Sequence, residues 1–540
     1  MTVKRTRLKS TLPKAATWSV PGRSKDGASS NSSSPSQGDE AGNRLAATPL
    51  TTTSKRRLQR RATPLAVLQM PLQAGVRKIF DLRRFLIVLA LTGGVLLLPT
   101  PEGLTIAGHR ALALFMFTGS ILALEPAPLP IAALLVPICQ IALGIDLVTG
   151  AFAPFGQPVV FLVLGSLFLA EALRKHGLTR RLAFYAVLAS RGNFRRLLFG
   201  LMSIAGLLSM WVLNTAIAAV LIPVGISIAQ RVQRPEDARR ALSLLVLGIA
   251  YGSSIGGIAT IMGSNENAIA TGLLAQIGPF GFLDWMKYGL PIAAILMPLS
   301  WYLLLWALPI DDITIDTVPI AREMVRTGGL SGAEREIITV LSVSVVLWMS
   351  GDTLEIWLGL PSTILNSAVV ALGAVALLSI EEVIDWNDLK GVNWGVFFVI
   401  GAGLTLGDAL NKTGAGVWFA TILAPLLEGL PYLSILVILI LVGFLLTQIM
   451  NNVTLGAILA PILITLGEAS GIAPERLVIP TIFAVALSYA LPVASARMTL
   501  VAVTGAVERK DMIRVGLVIG APSAVLILVF FYLISTLGLI

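Results

Sequence analysis

Two asparagines set deep in apolar sequence are the residues of this chain with the clearest capacity for chemistry. Asn214 lies in LLSMWVLNTAIAAVLIP (207–223) and Asn452 in LLTQIMNNVTLGAILAP (445–461). Aligned without a gap, Leu207/Leu445, Leu208/Leu446, Asn214/Asn452, Ala219/Ala457 and Pro223/Pro461 are identical, and Ser209 faces Thr447. A polar amide in hydrocarbon is costly unless it faces a partner helix, a cavity or a ligand. A plain helix–helix hydrogen bond would satisfy it. The duplicated context favours a ligand, because matched, interrupted apolar segments in two halves of a membrane chain point to a transporter's binding site. The expectation is a secondary transporter and not an enzyme.

The elements that must hold these residues are membrane helices. The chain has 540 residues, is 55% hydrophobic and has a mean hydropathy of +0.84. Apolar runs of about 20 residues, the length that crosses a bilayer, recur from Phe85 onward. The net charge of +10 resides in residues 1–75, with 13 Lys/Arg against 3 Asp/Glu, so nucleic acid is not an expected partner. That Ser-, Thr- and Arg-rich stretch reads as a disordered cytoplasmic tail whose basic cluster Lys55–Arg61 meets anionic lipid. Its acid-poor composition also suits an organelle transit peptide. A single cysteine, Cys139, excludes an intrachain disulfide, and with only His109 and His176, both placed at span ends, no zinc site or other cofactor is expected.

Basic residues orient the spans. Arg77, Lys78, Arg83 and Arg84 place the start of a first helix (85–100) in the cytoplasm, with spans over 104–122, 126–148 and 157–173 following. An amphipathic interfacial helix is predicted over 178–196. The apolar stretch 197–230 has basic clusters on both sides, so it should enter and turn back as a re-entrant hairpin with Asn214 near its tip. Residues 242–280 read as one helix broken at Gly256-Gly257 and GSNEN, followed by a span over 288–309 and a cytoplasmic linker, 311–336. Further spans over 337–352, 359–379 and 394–411 lead to a second hairpin, 430–466, flanked by Glu428, Glu468 and Glu475. A second broken helix (476–507), interrupted around Pro492–Arg497, precedes a last span, 515–539. The result is an all-α integral membrane protein of about eleven spans plus two hairpins entering from opposite faces. Residues 76–310 and 337–540 then form an inverted-topology repeat, with the N-terminus in the cytoplasm and the protein in the plasma membrane, or an organelle membrane if the tail is a transit peptide.

Several segments in order resemble the divalent anion:sodium symporter family, the sodium-coupled dicarboxylate, citrate and sulfate carriers. They are EPAPLPIAALLVPI (125–138), FLVLGSLFLAEAL (161–173), LLSMWVLNTA (207–216), LGIAYGSSIGGIATIMGS (247–264), NWGVFFVIGAGLTL (393–406) and ALPVASA (490–496). The resemblance implies a homodimer in which a transport domain of two hairpins and two broken helices slides as an elevator. It implies a Ser-Asn-Thr triplet at each hairpin tip, binding substrate carboxylates and sodium. Here the triplets read Leu213-Asn214-Thr215 and Asn451-Asn452-Val453. By position, a first Na⁺ site would use Ser209, Asn214 and carbonyls near Gly256 and Gly257. A second would use Thr447, Met450, Asn452 and Ala494. Such hard cations prefer oxygen ligands.

The chain departs from the family in the loops that break its long helices. Where the resemblance implies a small residue followed by Pro-Pro-Asn, this sequence has Ser264-Asn265-Glu266-Asn267 and Ser495-Ala496-Arg497-Met498. Glu266 and Arg497 thus stand at matching positions. A lone charge near the bilayer centre costs roughly 2.5–3.5 kcal/mol or more, and three arrangements would remove that cost. The two side chains could pair. Arg497 could serve as a fixed cation whose fork suits a carboxylate or sulfate, making the protein a sodium-independent exchanger or uniporter. Glu266 could take up protons and couple transport to them. The glycines of GAGLTLG (401–407) lack any βαβ setting and read as helix packing, and no Walker motif supports ATP-driven transport. A membrane receptor or intramembrane enzyme is the rival of another class, but the chain offers no catalytic arrangement for it.

Overall fold

Without water, backbone polar groups must bond within their own segment, so long apolar runs become helices. A computed structural model describes residues 80–540 except 233, 234, 312 and 362. The basic tail therefore lies outside the described residues. In chain order the first helices are α1 (Leu82–Leu97), α2 (Ile106–Leu124), α3 (Leu129–Ala142), α4 (Val148–Phe152), α5 (Pro158–Lys175) and α6 (Leu178–Ala189). Then come α7 (Phe194–Ser209), α8 (Asn214–Ala229), α9 (Pro235–Ile258), α10 (Asn265–Ile277), α11 (Phe282–Ala307), α12 (Val318–Thr327) and α13 (Gly332–Leu358). The remainder are α14 (Ser367–Ile380), α15 (Trp386–Lys390), α16 (Gly395–Thr413), α17 (Ala415–Leu427), α18 (Tyr432–Ile449), α19 (Asn452–Ser470), α20 (Glu475–Ala486), α21 (Ala496–Val503) and α22 (Arg509–Thr536). Among the described residues the only β pairings are two isolated bridges, Asn193 with Thr314 and Val232 with Ile315. The protein is all-helical.

Close contacts fix the direction of the helices around Asn214. Along α9, Gly248 meets Leu198, Gly252 meets Met202 and Gly256 meets Gly206, so α7 runs parallel to α9. Gly225 meets Leu245 and Ile249, while Asn214 meets Gly257, so α8 runs antiparallel to α9. The chain therefore reverses between Ser209 and Asn214 and forms a helical hairpin astride α9. The second copy is built alike. Thr447 bonds the Val485 carbonyl and Tyr432 that of Arg476, making α18 parallel to α20. Gly467 meets Pro474 and Gly456 meets Ile482, making α19 antiparallel to it. Between the two copies, Ser254 donates to the Ala486 carbonyl and the Tyr251 ring lies tilted against Tyr489, so α9 and α20 meet running in opposite directions.

The glycines of α9 recur every fourth residue, which lets backbones approach closely where side chains gain little from burial in lipid. A Cβ at Gly252 would sit 2.5 Å from the Met202 carbonyl oxygen. Glycine also turns the chain into the short helix that precedes each hairpin: Gly177 (φ 69) stands between α5 and α6, and Gly414 (φ 73) between α16 and α17. Both adopt the left-handed turn that a Cβ disfavours. The helices after them, α6 and α17, each precede a hairpin. Residues 415–427 carried no expectation from sequence.

Several boundaries differ from expectation. Among the described residues, six helices are long and apolar enough to cross a membrane by themselves, or seven counting the pair α4–α5 bent by 48°. Eleven spans were expected; segments such as 126–148 and 359–379 contain helices of only 14 residues, α3 and α14. The first hairpin begins at Phe194, because the Asn193 side chain caps the Arg196 N–H and starts α7 there. Gly256 and Gly257 remain helical and the break falls at 259–264, while the second break opens at Leu487, before Pro492. Segment 311–336 contains α12. His109 is buried, and its ring bonds Thr100 and the Val95 carbonyl and so ties α2 to the end of α1. The glycines of α16 pack closely, Gly401 against Phe155 and Gly403 against Ile269.

Burial orders the layers. The span Asp237–Ile258 is 89% buried, whereas Phe282–Ala307 and Arg509–Thr536 are each 33% buried. The broken helices are therefore the centre, and α11 and α22 turn apolar side chains such as Tyr302, Trp306 and Leu533 outward.

Candidate functional site

The site forms where both hairpin tips meet both helix breaks. At the first tip the Asn214 N–H donates to the Gly263 carbonyl at 3.0 Å, and Thr260 donates to the Met210 carbonyl. Asn267 donates to the carbonyls of Gly257 and Thr260, at 2.8 and 2.9 Å, so one amide spans the break. Thr215 donates to Asn214 Oδ1 at 3.2 Å. Ser209 Oγ is fully buried with no hydrogen-bond partner among the described residues.

At the second tip Asn451 caps α19, accepting from the Val453 N–H at 3.0 Å. Asn452 Nδ2 donates to Glu266 Oε1 at 2.8 Å, which joins the second hairpin to the first broken helix. Glu266 Oε2 has no partner among the described residues. Gln448 braces the second break, donating to the Leu487 carbonyl at 2.9 Å and accepting from the N–H groups of Tyr489 and Ala490. Thr447 donates to Val485 at 2.7 Å. Met450 caps α18, and Ala494 lies buried in the short 3₁₀ turn 492–494.

Glu266 and Arg497 do not pair. Among the described residues no ion pair joins them, because the carboxylate is engaged by Asn452 while the guanidinium folds back on its own break. Arg497 Nη2 donates to the Ala486 carbonyl at 2.9 Å and to Ser488 Oγ at 2.8 Å. Its side chain is 1% exposed.

Between these groups lies a cavity of about 160 Å³. Asn214, Thr215, Asn265, Glu266, Asn393, Asn451 and Asn452 line it, but Arg497 does not; its neighbour Ala496 does. Six helices begin at this wall: α3 at Leu129, α8 at Asn214, α10 at Asn265, α16 at Gly395, α19 at Asn452 and α21 at Ala496. The residues before α8, α10 and α21 supply no side-chain cap. Helix starts that no side chain caps, with the positive ends of their helices, thus converge on one space, an arrangement that stabilises an anion. Glu266 sets a carboxyl group in the same wall.

Sequence reasoning found the tip residues through their duplication. It missed Asn267, Asn393 and Gln448. Asn267 stands in the quoted Ser264–Asn267 loop, and its polarity beside a predicted break was a usable signal. Gln448, a long amide directly before Met450, was another.

The fold and this site define a membrane transporter. Solved structures with the same architecture include the YdaH transporter of Alcanivorax borkumensis, at 16% identity and TM-score 0.51, covering 80% of this chain and 98% of that one. MtrF of Neisseria gonorrhoeae matches at 14% identity and TM-score 0.53, covering 83% and 93%. The chain belongs to the family of the sodium:sulfate symporter transmembrane region, whose model matches residues 81–539. Among its relatives, an uncharacterized transporter of Methanocaldococcus jannaschii is 30% identical over 78% of this chain and 93% of its own length. The sodium-dependent dicarboxylate transporter SdcS of Staphylococcus saprophyticus is 29% identical over 81% of this chain and 88% of its own. The protein is a transporter and not an enzyme.

Proposed function

We propose that this protein is a secondary active carrier of small di- or tricarboxylates or sulfate, coupled to Na⁺ and working by elevator-type alternating access. The observation that carries the reading is the convergence of six helix N-termini and several side-chain amides on one cavity. Amide donors would hold a carboxylate or sulfate oxygen without a fixed counter-charge, so release on the far side stays feasible. Asn214, Thr215, Asn451 and Asn452 are the proposed substrate ligands. A relative that is a sodium-dependent dicarboxylate transporter supports the same substrate class.

For the cation, the residues fit at the first break. Ser209 Oγ is a buried oxygen without a partner among the described residues; the Ser209 backbone carbonyl and Gly257 both lie against Gly263, and the Asn214 amide lies against Gly257. At the second, Thr447 and Asn452 retain free oxygen lone pairs after donating their protons, and Met450 and Ala494 add carbonyls. Na⁺ bound there would offset Glu266 and raise the positive potential felt by the anion. The two hairpins, each doubling back along a broken helix, would be re-entrant and enter from opposite faces. With the two broken helices they would slide against the remaining helices as an elevator, in a homodimer, with the N-terminus cytoplasmic and the carrier in the plasma membrane.

One observation favours a second reading. The Arg497 guanidinium lies buried on carbonyl and hydroxyl oxygens of the second break, where it supplies a tethered positive charge. The carrier would then be a sodium-independent exchanger. Uptake of radiolabelled succinate and sulfate into proteoliposomes, with and without a Na⁺ gradient, tests both. Gradient-driven uptake supports coupling, and counterflow independent of Na⁺ supports exchange. Failure of both anions in both formats refutes the carrier assignment.

A further inference from the structure

Apart from the amide cavity, a larger space of about 470 Å³ opens among the start of α6, the second hairpin arm α8 and the helix α12. None of its lining residues borders the amide cavity. Its wall is apolar, with Phe184, Val220, Val224, Ile228 and Ile320. Its polar edge holds three arginines, Arg174, Arg180 and Arg231, against one carboxylate, Glu323.

Two of these cations are engaged. Arg174 is bonded to Glu171, and Arg180 meets Glu323 at 2.5 Å. Arg231 is different: Nη1 is shielded from solvent and has no hydrogen-bond partner among the described residues. A guanidinium N–H held out of water without an acceptor is costly, and the planar fork of this half-buried arginine matches a phosphate. The N-terminal end of α6 adds to the same field. Its N-cap Gly177 has no side chain to accept from the first-turn N–H groups, and Gly177, Thr179 and Arg180 all line the space.

An unpartnered guanidinium N–H and a helix N-terminus above an apolar wall match an amphiphile with an anionic head. We propose that this space binds an anionic phospholipid, its phosphate on Arg231 and the start of α6, one acyl chain along Phe184, Val220 and Val224. Inorganic phosphate shares the head chemistry but would leave the apolar wall uncovered. The surrounding arginines place the site at the cytoplasmic leaflet, where anionic lipid is drawn to basic clusters. The inference does not depend on the carrier reading, since its test measures retained lipid and not uptake.

The full-length protein, purified in detergent, is titrated with phosphatidylglycerol or phosphatidylcholine, and bound lipid is counted by native mass spectrometry. Phosphatidylglycerol should be retained at lower concentration than phosphatidylcholine. Arg231→Gln should weaken that preference roughly fivefold, the effect of about one basic residue at an anionic surface. Arg335→Gln, on an arginine outside the space, should leave it intact. Equal retention of the two lipids, or an undiminished preference in Arg231→Gln, overturns the proposal. So does inorganic phosphate that raises the melting temperature as much as phosphatidylglycerol does, which would mark a free-anion site. Should Arg231→Gln fail to fold, the Arg174→Gln/Arg180→Gln double variant decides by the same titration: a weakened preference supports the site and an unchanged one refutes it.

Discussion

The bond from Asn452 to Glu266 is the most exposed joint of this architecture, because one side chain from each repeat meets there in a water-poor wall. Glu266 Oε1 accepts from Asn452 at 2.8 Å, and Oε2 has no donor among the described residues. Glu266→Gln keeps an acceptor and the volume but discharges the bond. A hydrogen bond to a charged group contributes about 1.5–3 kcal/mol and a neutral one about 0.5–1.5, so the loss should be about 1–1.5 kcal/mol. Asn452→Ala removes the donor and strands a carboxylate that is 0% exposed. That should cost more, about 3 kcal/mol or above. The stranding penalty exists only while the charge is present. Asn452→Ala should therefore be milder by about 1–2 kcal/mol in the Glu266→Gln background, a coupling that a double-mutant cycle reads. Stability of the four proteins, measured by thermal unfolding in one detergent with a fluorescent thiol-independent reporter, provides the cycle. Strictly additive losses would show that the amide does not support the carboxylate.

Three further outcomes follow from the geometry. Asn214→Ala should abolish anion uptake in proteoliposomes while leaving a monodisperse, folded protein; uptake at the unsubstituted rate would remove Asn214 from the site. Gly252→Ala forces a Cβ against the Met202 backbone and should destabilise by about 1–3 kcal/mol through separation of α7 from α9; an unchanged melting temperature would contradict that packing. Asp388 is held below the usual carboxylate range, first by the Lys175 ammonium at 2.6 Å and then by the Asp385 N–H. A depressed folded pKa contributes stability above the unfolded value, near 4, and loses it as pH falls further. Asp388→Asn should thus lower the melting temperature at pH 7 and flatten its decline below pH 4; parallel acid limbs in the two proteins would refute the pairing.

Much of the site was legible because duplication marks it. Asn214 and Asn452 stood out as amides in apolar runs, and the matched flanks made both tips visible together. The partners of those amides were not. Asn267 and Gln448 serve carbonyls that exist as free acceptors only once two helices have broken, and the breaks begin at 259 and 487, away from the glycine and proline that suggested them. The matched charges Glu266 and Arg497 invited a pairing across the pseudo-symmetry. In space each found a nearer partner, one an amide of the other repeat and one a carbonyl of its own chain.

Sequence alone determined the all-helical character of this protein, its apolar surroundings and the pair of polar tips, since these follow from hydropathy and repetition along the chain. Tertiary structure decided where each helix begins and which acceptor each buried donor takes. It also decided that six helix N-termini share one cavity. Such choices depend on distances between segments more than 180 residues apart, as from Glu266 to Asn452. No local pattern encodes those distances, because they are set by packing against neighbours that both segments share.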